Sequence, residues 1–350
     1  MQNRMEKQDE NGMDNKIPEQ DKEDVAKKER EDMEPEHVIK RPKGTVDVIV
    51  PTYKPDETFD LIIERLQKQT IKPHQIILLN TRTDHDKDAE KLVAKYCKLE
   101  NLSIIHIEKT EFDHGGTRNY GAALSDAEFM LFMTQDAIPH DKQLIERLLE
   151  TMEKTNVAAA YARQMPRKGA DIIESYTRSF NYPEESSVKS KEDIERLGIK
   201  TYFCSNACAM YRKSVYEELG GFVKKTIFNE DMIMASKIIQ AGYSIAYAAK
   251  AKVIHSHHYT WKQQFSRNFD LAVSQKQYRE VFEGIKSESE GIRLVKKTAG
   301  YLKHNHKVYL IPSLIMESAF KYLGYRFGYH YDKLPKKLVK KWSMNKEYWE

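Results

Sequence analysis

The sequence predicts an α/β protein with a mostly parallel central sheet flanked by helices. Short, near-continuous apolar runs recur along it, as in strands buried on both faces. Segments of helical period separate them. Polar residues follow several runs at once, at what would be the carboxyl edge of an open sheet, where ligands bind. Residues 1–43 precede all of this with 10 Lys/Arg, 13 Asp/Glu and hardly a large apolar side chain. Such a segment cannot bury enough surface to offset its ordering entropy, so it is expected to be disordered.

Order starts at VDVIVPTYKP, where residues 46–50 read as a strand ended by Pro51. TFDLIIERLQKQT follows, with Phe59, Ile62, Ile63 and Leu66 on one helical face. QIILL is a second strand, DKDAEKLVAKYCK a helix and LSIIHI a third strand. GGTRNYGAALSDA reads as a short helix behind a glycine pair, and FMLFM as the fourth strand. HDKQLIERLLETMEK is a helix with Leu144, Ile145, Leu148 and Leu149 on one face, and NVAAAYAR the fifth strand. Between 166 and 200 the pattern loosens into a partly helical excursion. TYFCSNACAMYRKSVYEELGGF restores a strand, a helix and a glycine stop. NEDMIMASKIIQAGYSIAYAAKAKVIHSHH gives a helix and two short strands, and from Tyr259 the chain reads helical almost to its end.

The 350 residues are 40% apolar, enough for a sizeable core, and carry a net charge of +4. That charge is uneven: residues 291–350 hold 13 Lys/Arg against 4 Asp/Glu. The basic end is a candidate surface for anionic lipid, as a helix lying on a membrane, or a helical subdomain packed on the core. The central region has no basic stripe with aromatic platforms, so nucleic acid is not an expected partner. Cys97, Cys204 and Cys208 form no disulfide framework, and the last two read as small buried side chains. The N-terminus has no apolar signal region, and no run approaches the roughly 18 apolar residues of a spanning helix. A cytoplasmic protein is expected, at the inner face of the cell membrane if the tail binds lipid.

The strand ends carry the candidate chemistry. They are Thr52-Tyr53, Asn80-Thr81, the loop Asp113-His114-Gly115-Gly116, and Gln135-Asp136. Asp136 either meets a ligand there or caps the turn before the next helix. In DHGGTRNYG, two glycines permit close backbone approach, while a helix N-terminus and Arg118 suit an anion. A glycine turn beside a solvated arginine is the plainer alternative. No Walker loop and no early G-x-G-x-x-G is present, which disfavours ordinary P-loop and NAD chemistry. Asp231 begins a helix as a cap or as a general base. His255 and His257, alternate on a strand, would share one face and could join an upstream Asp on a metal. Gln264 and Arg267 stand one helical turn apart and could meet one ligand.

Taken together these stretches resemble family 2 glycosyltransferases of the GT-A fold, in their bacterial rhamnosyltransferase-like branch. The matching segments are VDVIVPTYKP, DHGGTRNYGAA, LFMTQDAIP, CSNACAMYRKSVYEELGGF, NEDMIMASKIIQAGY and HSHHYTWKQQFSRNFD, in the family's order. The resemblance implies a GT-A domain over 44–275 between a disordered 1–43 and a basic helical 276–350. It implies Mg²⁺ or Mn²⁺ and a nucleotide-sugar donor, dTDP-rhamnose or a UDP-sugar. The acceptor would be a glycan or polyprenyl-linked hydroxyl in cell-surface polysaccharide synthesis, glycosylated with inversion. By position, Asp231 matches the catalytic base, Asp136 the first acid of the metal-binding Asp-x-Asp, and His255 or His257 a late histidine that joins the metal. Thr52, Tyr53, Asn80, Asp113, Arg118, Gln135, Gln264 and Arg267 match donor-site positions. Three departures stand out. Ala137-Ile138 replaces the second acid, Asn80 an acidic donor contact, and Asn268 the tryptophan of Gln-x-x-Arg-Trp. A sugar nucleotidyltransferase or a non-catalytic membrane-associated scaffold are the alternatives.

Overall fold

A computed structural model describes residues 41–83, 86–154, 156–257, 259–283 and 288–349; the disorder expected of 1–43 concerns residues almost wholly outside these. The first half of the sheet is parallel, in the order β3-β2-β1-β4: β1 (Val46–Thr52), β2 (Gln75–Thr81), β3 (Leu102–Ile107) and β4 (Phe129–Met133). The period of two divides β1 between two cores. Val46, Val48 and Val50 meet α1 (Glu57–Gln67) through Phe59, Ile62, Ile63 and Leu66. Ile49 joins Ile77, Leu79 and Ala122 on the other face. Helix α1 forms because those apolar residues recur at i, i+3, i+4 and i+7 and the Asp56 carboxylate accepts from Thr58 N at 2.9 Å as its N-cap. Burial of its four large side chains contributes about 1.5–3 kcal/mol each. Two further helices cross between these strands, α2 (Asp86–Tyr96) and α3 (His114–Ala123).

The second half is mixed. β5 (Ile138–Pro139) is followed by α4 (Leu144–Met152) and β6 (Val157–Met165). The expected excursion holds α5 (Ile172–Asn181), β7 (Ser187–Lys189) and α6 (Ile194–Leu197). β8 (Cys208–Arg212) returns from it antiparallel to both β4 and β6. Four of the eight strand pairings among the described residues are parallel and four antiparallel. The parallel expectation therefore describes the half built of strand–helix–strand crossovers. It yields where the chain re-enters the sheet from the other end. The two short strands expected near 244–254 are one, β9 (Ser244–Ile254), following α7 (Lys213–Glu218) and α8 (Glu230–Gln240). Exposed Lys250 looks like a break in sequence, but residues on either side of it are buried. Cys204 and Cys208 are buried, as expected.

After β9 come α9 (Trp261–Gln277), α10 (Arg279–Phe282), α11 (Glu288–His304), α12 (Ile311–Tyr329) and α13 (Lys336–Trp342). Helices α9 and α12 touch backbone to backbone. A Cβ at Gly324 would lie 2.2 Å from the Phe265 carbonyl oxygen, and one at Gly328 2.2 Å from that of Phe269. Phe269, Val273, Val339 and Ile227 close a small core there. Asp270 on α9 accepts from the N–H groups of Met344 (2.8 Å) and Asn345 (3.3 Å). The tail is thus packed against the rest of the chain along one side of α12. No helix among the described residues is long and apolar enough to cross a membrane.

Candidate active site

Strand register brings the first cluster together. Ile138 pairs with Ile254 across β5 and β9, and His255 N donates to Met165 O at 2.9 Å. The turn before β5 and the residues just beyond β9 therefore meet. The Ala137 N–H closes that turn on Thr134 O at 3.1 Å, while the Asp136 carboxylate faces the two histidines. Its Oδ1 lies 3.4 Å from His255 Nε2 and its Oδ2 3.4 Å from His257 Nε2. One ligand atom of each residue falls within 4.8 Å of the others, the spacing of a candidate metal site. The histidines lie past the end of β9 rather than on it, with their rings edge to face at 4.5 Å.

The proton positions on His255 follow from its partners. Gln164, near the end of β6, offers Oε1 to the Arg178 guanidinium, which can only donate, and its Nε2 to Ser205 Oγ at 2.9 Å. His255 Nδ1 lies 2.9 Å from the same Oε1, so Nδ1 carries a proton and Nε2 is the nitrogen turned toward Asp136. With Nδ1 held in this way, Nε2 is the nitrogen that would meet a metal once its own proton leaves. Burial, then the charge of His255, holds His257 down to about 4, so it is neutral near pH 7. Burial pushes Asp136 up. The His255 contact, Thr134 and His257 outweigh it and keep the carboxyl well below the usual carboxylate range. One carboxylate and two imidazole nitrogens fit a divalent cation.

Asp231 lies in the first turn of α8. It is not the N-cap: Asn229 holds that position with φ +65°, and its Nδ2 ties to Leu271 O at 3.2 Å. Asp231 accepts from Asn206 N (3.2 Å) and from Met232 N (2.8 Å). Burial, reinforced by the neighbouring Glu230 charge, pushes its carboxyl up to about 7. Glu230 goes the other way: burial raises it, but the Arg118 guanidinium at 3.3 Å outweighs that.

Asp231, His255, His257, Gln264 and Arg267 all line one cavity of about 960 Å³. Arg267 stacks over the rings of Phe228 and Tyr259, 4.7 and 5.7 Å from their centroids. Gln264 Nε2 donates to Glu317 Oε1 at 3.4 Å. Other wall residues were not singled out in the sequence: Gln164 and Arg178, and Glu317 and Phe320 of α12. Gln164 does carry a positional signal in the sequence, since it stands near the end of a strand as Thr52 and Asn80 do. Arg178 and Glu317 carry no such positional signal.

Other sequence candidates lie outside that lining. Thr52 Oγ1 donates to Asn80 Oδ1 at 3.1 Å, and Gln135 clamps the Tyr53 backbone through bonds of 2.7 and 3.0 Å. These four share the carboxyl ends of β1, β2 and β4. Asp113 caps α3, accepting from Gly116 N at 2.6 Å. Arg118 is buried and turned inward, to Glu230 and to His114 O at 2.8 Å, rather than forming an open fork for an anion.

Known proteins resemble this chain in sequence and in fold. Residues 47–220 match the profile of "Glycosyl transferase family 2". The O-antigen chain rhamnosyltransferase RfbN of Salmonella typhimurium is 40% identical over 308 residues, 87% of this chain and 96% of that protein. The O-antigen chain rhamnosyltransferase WbaN of Salmonella anatum is 41% identical over 307 residues, covering 86% of this chain and 95% of that protein. The fold is similar to that of the mannosyltransferase PcManGT from Pyrobaculum calidifontis, solved with GDP-Man and Mn²⁺. The TM-score is 0.51 at 15% identity, over 93% of this chain and 90% of that one. Sequence likeness of that strength, carried along nearly the whole chain, means that the protein belongs to glycosyl transferase family 2.

Proposed function

We propose that the protein transfers L-rhamnose from dTDP-L-rhamnose, with inversion, to a hydroxyl of a glycan or lipid-linked acceptor. The choice of sugar rests on likeness to the two rhamnosyltransferases. The observation that carries the chemistry is the single cavity shared by Asp231 and the two histidines that hold Asp136.

Asp136, His255 and His257 would hold Mg²⁺ or Mn²⁺, the His255–Gln164 bond fixing the ligand nitrogen. A divalent cation supplies Lewis acidity that offsets charge on a departing diphosphate. Missing the second acid of Asp-x-Asp is compensated here by a second histidine. Arg267 and Arg178, which line the same cavity, add fixed positive charge toward the diphosphate. Thr52, Tyr53, Asn80 and Gln135 form the neighbouring strand-end shelf for the nucleoside. Asp113 and Arg118 act behind the site: one caps α3, the other neutralises Glu230 so that the start of α8 keeps its place. Asp231 takes the proton from the acceptor hydroxyl as the new bond forms, and its raised pKa makes it a stronger base than an ordinary carboxylate.

The test is a donor screen. Thermal shift with dTDP, UDP and GDP, each with and without Mn²⁺, should show metal-dependent stabilisation by dTDP, and dTDP-L-rhamnose should then release dTDP when acceptor is present. Absence of any metal-dependent nucleotide effect would overturn the site; preference for UDP or GDP would overturn the sugar.

A further inference from the structure

Helix α12 is apolar on more sides than its packing uses. Gly324 and Gly328 face α9, Leu314 packs with Leu302, and Glu317, Phe320 and Lys321 line the cavity. The remaining face is solvent-exposed and, apart from Arg326, carries large apolar side chains. Ile315 is 56% exposed, Met316 41%, Tyr322 62% and Leu323 44%. These four stand at i, i+1, i+7 and i+8, one stripe of a helix. Val308 and Tyr309, one heptad earlier, are 53% and 69% exposed. Large apolar side chains clustered on one solvated face mark an interaction surface.

We propose that this stripe docks the protein on an anionic lipid bilayer, with α12 lying in the interface. Charge selects that occupant. Lys303, Lys307 and Arg326 are exposed close to the stripe in sequence, and Lys307 lies 5.7 Å over the Tyr309 ring. The segment 291–350 carries nine more cations than anions. A second copy of the chain would set two such basic faces against each other, whereas acidic headgroups neutralise them. Tyrosines among aliphatic residues suit the boundary between headgroups and acyl chains. Glu317, Lys321 and Arg326 on the same helix keep it from spanning the bilayer. Because one helix carries both the stripe and a wall of the cavity, docking holds the cavity beside the membrane, within reach of a lipid-borne acceptor. That last link rests on the transfer reading; the docking does not.

Flotation of the full-length protein with vesicles tests it. Phosphatidylcholine–phosphatidylglycerol vesicles should carry the protein upward, and phosphatidylcholine alone should carry much less. The double variant Ile315→Glu, Leu323→Glu should lose at least ~10-fold in apparent vesicle affinity while keeping its melting temperature and its nucleotide-dependent thermal shift. Equal flotation of the variant, or failure of the wild type to float, would overturn the proposal. So would a wild-type dimer that the variant converts to monomer, since the stripe would then belong to a second copy. A wild type that binds nucleotide but does not float sinks docking alone; a wild type that floats without binding nucleotide sinks the transfer reading alone.

Discussion

Replacing Asp231 with Asn should stop turnover and, at neutral to alkaline pH, make the protein more stable. The carboxyl is raised from an ordinary value to about 7, first by burial and then by Glu230. A raised folded-state pKa means the group's contribution to stability is complete below its unfolded value. It is lost as pH climbs through the folded one. The window therefore runs from about 4 to about 7, and above it the wild type carries an ionised carboxylate in an unfavourable place. A shift of that size corresponds to at most ~4 kcal/mol. Asp231 is only partly buried, so screening by water in the cleft reduces the figure to about 1–2 kcal/mol. Asparagine removes the charge but turns an NH₂ toward a backbone N–H, a cost that does not vary with pH. The informative quantity is the variant-minus-wild-type difference at pH 8 less that at pH 5. It should be positive, a few degrees in melting temperature for a chain of this size. Turnover should fall by about 10²-fold or more, and wild-type kcat/KM should rise with pH up to neutrality as the base ionises. Thermal denaturation at the two pH values and a dTDP-release assay measure both. A stability difference that does not change with pH, or a variant with full turnover, would refute the reasoning.

Other perturbations separate the remaining roles. His257→Ala removes one of three candidate ligands and should weaken Mn²⁺ binding by calorimetry at least ~10-fold; unchanged affinity would place the ion elsewhere. Gln164→Ala frees the His255 ring and should cost about 10–100-fold in Mn²⁺ affinity with little change in fold. A normal titration there would show that His255 needs no orienting partner. Arg118→Ala strands buried Glu230 without its cation and should destabilise by about 3–5 kcal/mol in urea, whereas an effect on donor affinity alone would return Arg118 to the substrate. Gly324→Ala puts a methyl 2.2 Å from a carbonyl oxygen, which two packed helices relieve only by separating, at about 1–3 kcal/mol. An unaltered melting temperature would mean the α9–α12 contact is looser than its geometry.

Much of the first half of the fold was legible because it obeys local rules. Val46–Val50, QIILL and FMLFM are apolar runs between amphipathic helices, and parallel pairing follows from the crossovers. The mixed half was not, since the direction of β8 depends on how the 166–207 segment leads the chain back. Asp231, Asp136, His255 and His257 were legible as residue types at element ends. Their assembly was not, because Asp136 and His255 meet through the Ile138–Ile254 register, 116 residues apart in sequence, which no local pattern encodes. Arg118 misled for the opposite reason: a cation behind a glycine pair looks like an anion site until the buried carboxylate of Glu230 is placed beside it.

The clasp between Asp270 and the backbone of residues 344 and 345 also bears on how the chain can be handled. Tyr348 adds a bond to Gln277 at 3.1 Å, and Trp349 packs on Tyr331. These grip the helix that presents Gln264 and Arg267 to the cavity. Trimming the basic end to improve solubility or crystallisation would unbrace the helix that carries Gln264 and Arg267, so purification tags and shortened versions belong at the other terminus.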